Sequence, residues 1–154
     1  MAKEIERKFL FDPARVGNLG EGQYIVQAYI ATVNDIVVRV RISGSNAFLT
    51  LKGKTHGATR SEFEYSIPLV DAEEIIAELC GGPVIRKIRY EVYYKGSLWE
   101  LDVFHGENSG LNIAEIELEN ENQQVELPEW VGKEVTGDPR YYNNNLLVNP
   151  YRRW

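Results

Sequence analysis

The 154 residues, 44% hydrophobic and 26% charged, have the composition of a soluble globular protein and a length that fits one domain over 1–154. A formal net charge of -6 and a pI near 5.0 exclude a general nucleic-acid binder and an anionic-membrane binder. Yet 17 Lys and Arg stand among the 23 Asp and Glu, which leaves room for a locally basic site.

Met1 to Leu10 opens the chain as a strand, with Glu4, Glu6 and Lys8 on one face and Ile5, Arg7 and Phe9 on the other. Phe11 to Gly20 reads as a turn with a short helical piece at Asp12-Pro13. Gln23–Thr32, Ile36–Ser43, Ala47–Lys54 and Thr59–Ile67 read as strands, with turns at Asn34-Asp35 and Gly44-Ser45-Asn46. Asp71–Gly81 is the best helix: Asp71 and Glu74 make a capping box, Gly81-Gly82-Pro83 stops it, and Ala72, Ile75, Ile76, Leu79 and Cys80 form an apolar stripe. Val84–Tyr94, Leu98–Phe104 and Leu111–Glu119 complete eight strands. Beyond them, Glu126–Gly132 reads as a short helix and Asp138–Leu147 as a turn with a helical tail. The class is mainly β (α+β): an antiparallel sheet or closed barrel with a few flanking helices.

Cys80, the only cysteine, allows neither an intrachain disulfide nor a Cys-based zinc site and belongs in the core. His56 and His105 are too few for a His-rich metal centre and are incidental. The three tryptophans, Trp99, Trp130 and Trp154, read as packing residues. No signal-peptide h-region and no apolar run of spanning length is present, so no membrane partner and a cytoplasmic location are expected.

Period two exposes the main pattern. Arg39 and Arg41 share a face; so do Lys52 and Lys54; Arg60, Glu62 and Glu64; Lys87, Arg89 and Glu91; Glu100 and Asp102; and Glu115, Glu117 and Glu119. Each opposite face is apolar or aromatic. A solvent-exposed face would mix Thr, Ser and Gln among its charges. These faces are almost wholly Asp, Glu, Lys and Arg, with the signs grouped by strand. Closing the sheet puts the charges inside an eight-stranded antiparallel β-barrel, a tunnel wide enough for one small ligand. Burying so many charges requires acid–base pairing, a divalent cation on the carboxylates and a polyanion on the Lys/Arg columns. Hard carboxylate oxygens suit Mg²⁺ or Mn²⁺, and Arg forks and Lys ammoniums suit phosphate oxygens. That equipment is the equipment of phosphoryl transfer.

Glu4-Ile-Glu6-Arg-Lys8 resembles the Glu-x-Glu-x-Lys signature of the CYTH domain, the triphosphate tunnel metalloenzyme superfamily. Val38-Arg39-Val-Arg41, Leu49 to Lys54, Arg60 to Glu64, Lys87-Ile-Arg89, Glu100-Leu-Asp102 and Glu115 to Glu119 are similar to family elements in the same order. The resemblance implies a divalent-metal-dependent triphosphatase, cleaving the terminal phosphate of inorganic triphosphate and secondarily of nucleoside triphosphates. It implies Glu4, Glu6, Lys8 and Glu117 as catalytic residues. Lys8, Arg39, Arg41, Lys52, Lys54, Arg60, Lys87 and Arg89 would grip the substrate; Glu4, Glu6, Glu62, Glu64, Asp102, Glu115 and Glu117 would hold metal. Glu134–Asn143 resembles the tail of short bacterial members, a cover for one tunnel mouth or simply a packed helix. The alternatives are a class IV-type adenylate cyclase and a non-catalytic polyphosphate or nucleotide-binding module. The early position of the motif and the short chain weigh against the cyclases and the animal thiamine triphosphatases. Apolar outward faces leave a homodimer open.

Overall fold

The computed structural model describes residues 2–154. Nine strands form one antiparallel sheet: β1 (Lys3–Phe11), β2 (Gln23–Ile30), β3 (Val37–Ser43), β4 (Asn46–Lys52), β5 (Thr59–Ile67), β6 (Ile85–Tyr94), β7 (Ser97–Phe104), β8 (Asn112–Glu117) and β9 (Val131–Glu134). Their order is β5-β4-β3-β2-β6-β7-β8-β1-β9, and a further β1–β5 pairing closes the first eight into a barrel. The expected tunnel is therefore present, with one added strand.

β1 serves two neighbours along one edge. Its first residues pair with β5 (Lys3↔Ser61, Glu4↔Arg60, Ile5↔Thr59) and its last with β9 (Phe9↔Glu134, Phe11↔Val131). Its other edge runs continuously along β8 from Glu6↔Glu117 to Leu10↔Ile113. The closing seam is thus short and lies beside Glu4.

The barrel inverts the usual arrangement, with its apolar core on the outside wall. Trp99 is fully buried there, with ring centroids 5.7 Å from Phe9 and 5.5 Å from Trp130. A second cluster sets Tyr141 and Leu146 of the tail against Ile85, Phe104, Leu111 and Ile113. A third packs helix α1 (Leu69–Ile75) over Val40 and Ala47. Full burial of each large side chain contributes about 1.5–3 kcal/mol, so these covering segments stabilise the wall they hide.

Three expectations need correction. α1 starts at Leu69, with Pro68 rather than Asp71 at its cap and no side-chain capping bond. It continues as a wider π-helical turn, Ile76–Cys80, whose extra residue rotates Leu79 off the apolar stripe; Leu79 is 61% exposed and Cys80 only half-buried. Glu126–Gly132 is not a helix, because Val131–Glu134 extends along β1 as β9, clipped there by two hydrogen bonds from Arg7 to Glu134 at 2.9 and 2.8 Å. Trp154 packs at the surface as a packing residue should: 42% exposed, it lies edge-on to Tyr141 and Tyr151 with ring centroids at 5.2 and 5.1 Å. The tail follows the expected form, a 3-10 turn at Pro139–Tyr141 and then helix α2 (Asn143–Val148). On the outer face, Leu51, Phe63 and Tyr65 stay exposed. No helix of the described residues is long and apolar enough to cross a membrane.

Candidate active site in the tunnel

The inward positions of the staves meet in one cavity of about 210 Å³. Glu4, Glu6, Lys8, Arg39, Arg41, Lys52, Arg60, Glu62, Glu64, Lys87, Arg89, Glu115 and Glu117 all line it, joined by Glu100. Period two places them there: a side chain on every second residue faces the same side of a strand, and the closed sheet makes that side the interior.

Two expected residues do not reach the lumen. β4 ends at Lys52, so the alternation fails at Gly53, and Lys54 stands 65% exposed beside Asp35 at 3.9 Å. Lys54 lies instead on an outer chamber of about 600 Å³ with Arg60, Tyr142 and Asn144. Asp102 faces inward but is buried beneath the cations it holds. Arg89 Nε and Nη2 donate to its two oxygens at 2.7 and 2.9 Å, and Lys87 Nζ lies 2.7 Å from Oδ2. A carboxylate saturated by two cations is a structural anchor rather than a free metal ligand.

Self-pairing runs round the wall. Lys52 Nζ donates to Glu4 at 3.1 and 3.2 Å and lies 3.3 Å from Glu62. Arg39 Nη2 donates to Glu64 at 3.3 Å and to Thr50 at 3.2 Å, and Thr50 Oγ1 donates to Glu64 at 2.9 Å. Lys8 Nζ lies 3.7 Å from Glu6 and 3.9 Å from Glu115. Arg89 also bonds Glu100 at 3.2 Å. Among the described residues Arg41 and Arg60 make no ion pair: Arg60 donates to the Gly53 carbonyl at 3.0 and 2.9 Å, and Arg41 Nε donates to Gln27 at 3.0 Å.

The charges split the carboxylates. Burial and the neighbouring Glu115 push Glu6 up to about 8, against the pull of Lys8. Glu4 is also raised, by burial, although Lys52 opposes it. Burial would raise Glu115 too, but Lys8 and Arg89 outweigh it and hold that group down at about 2. Asp102 sits well below the carboxylate range because Arg89 and Lys87 overcome its burial. Burial and the nearby Arg39 and Arg89 lower Arg41 to about 10, the mark of cations crowded without an anion.

For a metal, the donor set fits in kind: Glu4, Glu6, Glu115 and Glu117 offer hard oxygens to one lumen, and Glu6 carries the mutual repulsion a divalent cation relieves. No three Asp, Glu, His or Cys side chains among the described residues already converge as a metal cage. Lys8 and Lys52 stand among the carboxylates of the lumen, each within 4 Å of two of them.

Neutral lining residues carry no charge pattern and escaped the sequence reading: Tyr29, Tyr142, Asn143 and Asn144. β2 is the one stave without charged side chains, and its inward Gln27 and Tyr29 bond each other at 2.6 Å. His56 and His105 lie outside the lumen, in an isolated bridge with Thr59 and just after β7.

A CYTH domain family model matches residues 2–142. The chain is 48% identical over 154 residues to an inorganic triphosphatase of Acetivibrio thermocellus, covering 100% of this chain and 99% of that protein. It is 37% identical over 150 residues to an inorganic triphosphatase of Nitrosomonas europaea, covering 95% and 97%. Among solved structures, the inorganic triphosphatase NE1496 is similar with a TM-score of 0.66 and 35% identity, over 94% of this chain and 97% of that one.

Proposed function

The chain belongs to the CYTH domain family, and on that premise we propose that it is a divalent-metal-dependent triphosphatase whose substrate is inorganic triphosphate, with nucleoside triphosphates secondary. One observation carries the reading: cations and carboxylates from all but one stave of the closed barrel line a single cavity of about 210 Å³.

In this reading Arg39, Arg41, Lys52, Arg60, Lys87, Arg89 and Lys8 hold the oxygens of the phosphate chain. The guanidinium forks of Arg41 and Arg60, unengaged by carboxylates, receive it first. Glu4, Glu6, Glu115 and Glu117 would hold Mg²⁺ or Mn²⁺, with Glu62 and Glu64 able to serve a second ion. When bound, the metal neutralises phosphate charge and helps orient the attacking water. Lys52 and Lys8 then exchange their carboxylates for phosphate oxygens, so both halves of each ion pair find new partners. One carboxylate of the Glu4, Glu6, Glu115 and Glu117 group takes the proton as water attacks the terminal phosphorus and the P–O bond to the leaving diphosphate breaks. Glu115 is ionised over the whole neutral range, whereas Glu6 keeps its proton near neutrality until a cation draws it off. We place this enzyme in the cytoplasm, with its exposed outer face open to a homodimer.

Incubation with tripolyphosphate, ATP, thiamine triphosphate and pyrophosphate, with and without Mg²⁺ or Mn²⁺, tests the reading. Metal-dependent orthophosphate release, fastest from tripolyphosphate, is expected. Cyclic AMP as the main product, or binding without turnover, would overturn it.

A further inference from the structure

One wall of the tunnel is completed from outside the barrel. Asn143, the first residue of α2, lines the lumen, and its Oδ1 accepts from Lys87 Nζ at 2.9 Å and from Gln27 Nε2 at 3.0 Å. Gln27, fully buried on β2, also donates to Tyr29 Oη at 2.6 Å and accepts from Arg41 Nε at 3.0 Å. Arg and Lys can only donate, so both amides have one allowed orientation: Arg41 fixes the oxygen of Gln27, and Lys87 fixes that of Asn143. The chain Arg41–Gln27–Asn143–Lys87 therefore links two cations of the lumen through two neutral amides.

The neutrality matters. A carboxylate that oriented Arg41 would also cancel its charge, whereas the Gln27 amide oxygen fixes the geometry and leaves the charge in place. Lys87 is already held by Asp102 at 2.7 Å, and Asn143 adds a neutral second partner that fixes the direction of its ammonium. Asn143 is well placed to do so, because its helix is anchored independently by buried Tyr141 and Leu146. Resting on the triphosphatase reading, we propose that Asn143 and Gln27 are positioning residues: docking of the tail sets Lys87 directly and Arg41 through Gln27, preparing both for the phosphate chain.

Tripolyphosphate binding, measured by calorimetry in EDTA so that turnover does not interfere, tests this. Asn143→Ala should weaken binding about tenfold, the loss of one oriented charge-assisted contact. In a Lys87→Met background the same change should cost clearly less, about threefold, because only the route through Gln27 to Arg41 remains. Asn145→Ala removes another tail bond, to the Pro139 carbonyl at 2.8 Å, and should leave affinity unchanged. Full additivity of Asn143→Ala with Lys87→Met would overturn the proposal, as would an equal loss in Asn145→Ala, which would make tail order the cause. Unaltered affinity in Asn143→Ala, with wild-type binding intact, defeats this inference alone. Absence of tripolyphosphate binding by the wild type in EDTA likewise defeats this inference alone, and absence of metal-dependent orthophosphate release from tripolyphosphate defeats it together with the triphosphatase reading.

Discussion

Lys52, on β4, reaches past β5 to donate to both carboxylate oxygens of Glu4 at 3.1 and 3.2 Å. A cation proposed for phosphate and a carboxylate proposed for metal thus neutralise each other across the tunnel. Lys52→Met releases Glu4 and Glu62 from their shared partner. Substrate-free Mn²⁺ affinity, followed by electron paramagnetic resonance, should rise several-fold while the KM for tripolyphosphate also rises. Unchanged Mn²⁺ affinity would show that the pair does not compete with metal.

Glu6 and Arg39 should separate chemistry from grip. Glu6→Gln keeps the shape of the lumen but removes a metal-competent carboxylate, so kcat at saturating tripolyphosphate should fall at least a hundredfold. Arg39→Ala removes a lumen-lining fork bonded to Thr50 and Glu64 and proposed to grip phosphate, and should act mainly by raising KM about tenfold or more. Steady-state kinetics of the two variants under the same metal concentration checks the contrast.

Asp102 is an anchor whose loss should be felt in stability. Asp102→Asn leaves Lys87 and Arg89 buried without their shared anion, a change that costs about 3–5 kcal/mol. In a chain of this size that lowers Tm by roughly 10 °C. A Tm within about 2 °C of wild type, read by calorimetry, would contradict the assignment.

Lys54 makes the opposite prediction. It is exposed and paired only with Asp35, itself exposed, so Lys54→Ala should change KM for tripolyphosphate less than twofold. Lys52→Ala, two residues away, should change it more than tenfold.

The raised Glu6 gives a signed pH dependence. Its folded pKa of about 8 lies above its unfolded value of 4.5, so between these the folded state binds more protons than the unfolded one. Its contribution to stability is therefore largest at low pH and is lost as pH rises through that window. From pH 5.5 to 7.5 the metal-free wild type should lose up to about 2–3 kcal/mol relative to Glu6→Gln. Denaturant unfolding of both proteins at the two pH values checks the difference, and saturating Mn²⁺ should erase it by ionising Glu6.

Alternation carried most of this molecule into its sequence. A closed barrel with a charged interior needs one polar residue in two on nearly every stave, and that demand leaves a periodic trace. The trace ends where the period ends. Gly53 interrupts it, which is why Lys54 looks like a neighbour of Lys52 but faces elsewhere. Register is also invisible in one strand: Asp102 shares its face with Glu100, and only its pairing opposite Arg89 shows that it is consumed. β9 has four residues, too few to show a period, and is held as a strand by its pairing with Phe9 and Phe11. Gln27 and Asn143 left no signal because neutral amides on a strand and at a helix start are common, and only the fold brings them together.

The self-paired wall makes the tunnel an ion exchanger loaded with its own counterions. A guest gains little by being anionic alone; it has to offer enough oxygens, closely spaced, to replace each carboxylate it displaces from Lys52, Arg39 and Lys8. A shorter phosphate chain breaks into the same pairs but leaves some cations unmatched, and a nucleoside adds bulk without charge. The wall therefore measures a ligand by its charge per unit length, and the carboxylates set the threshold that a guest must exceed to enter.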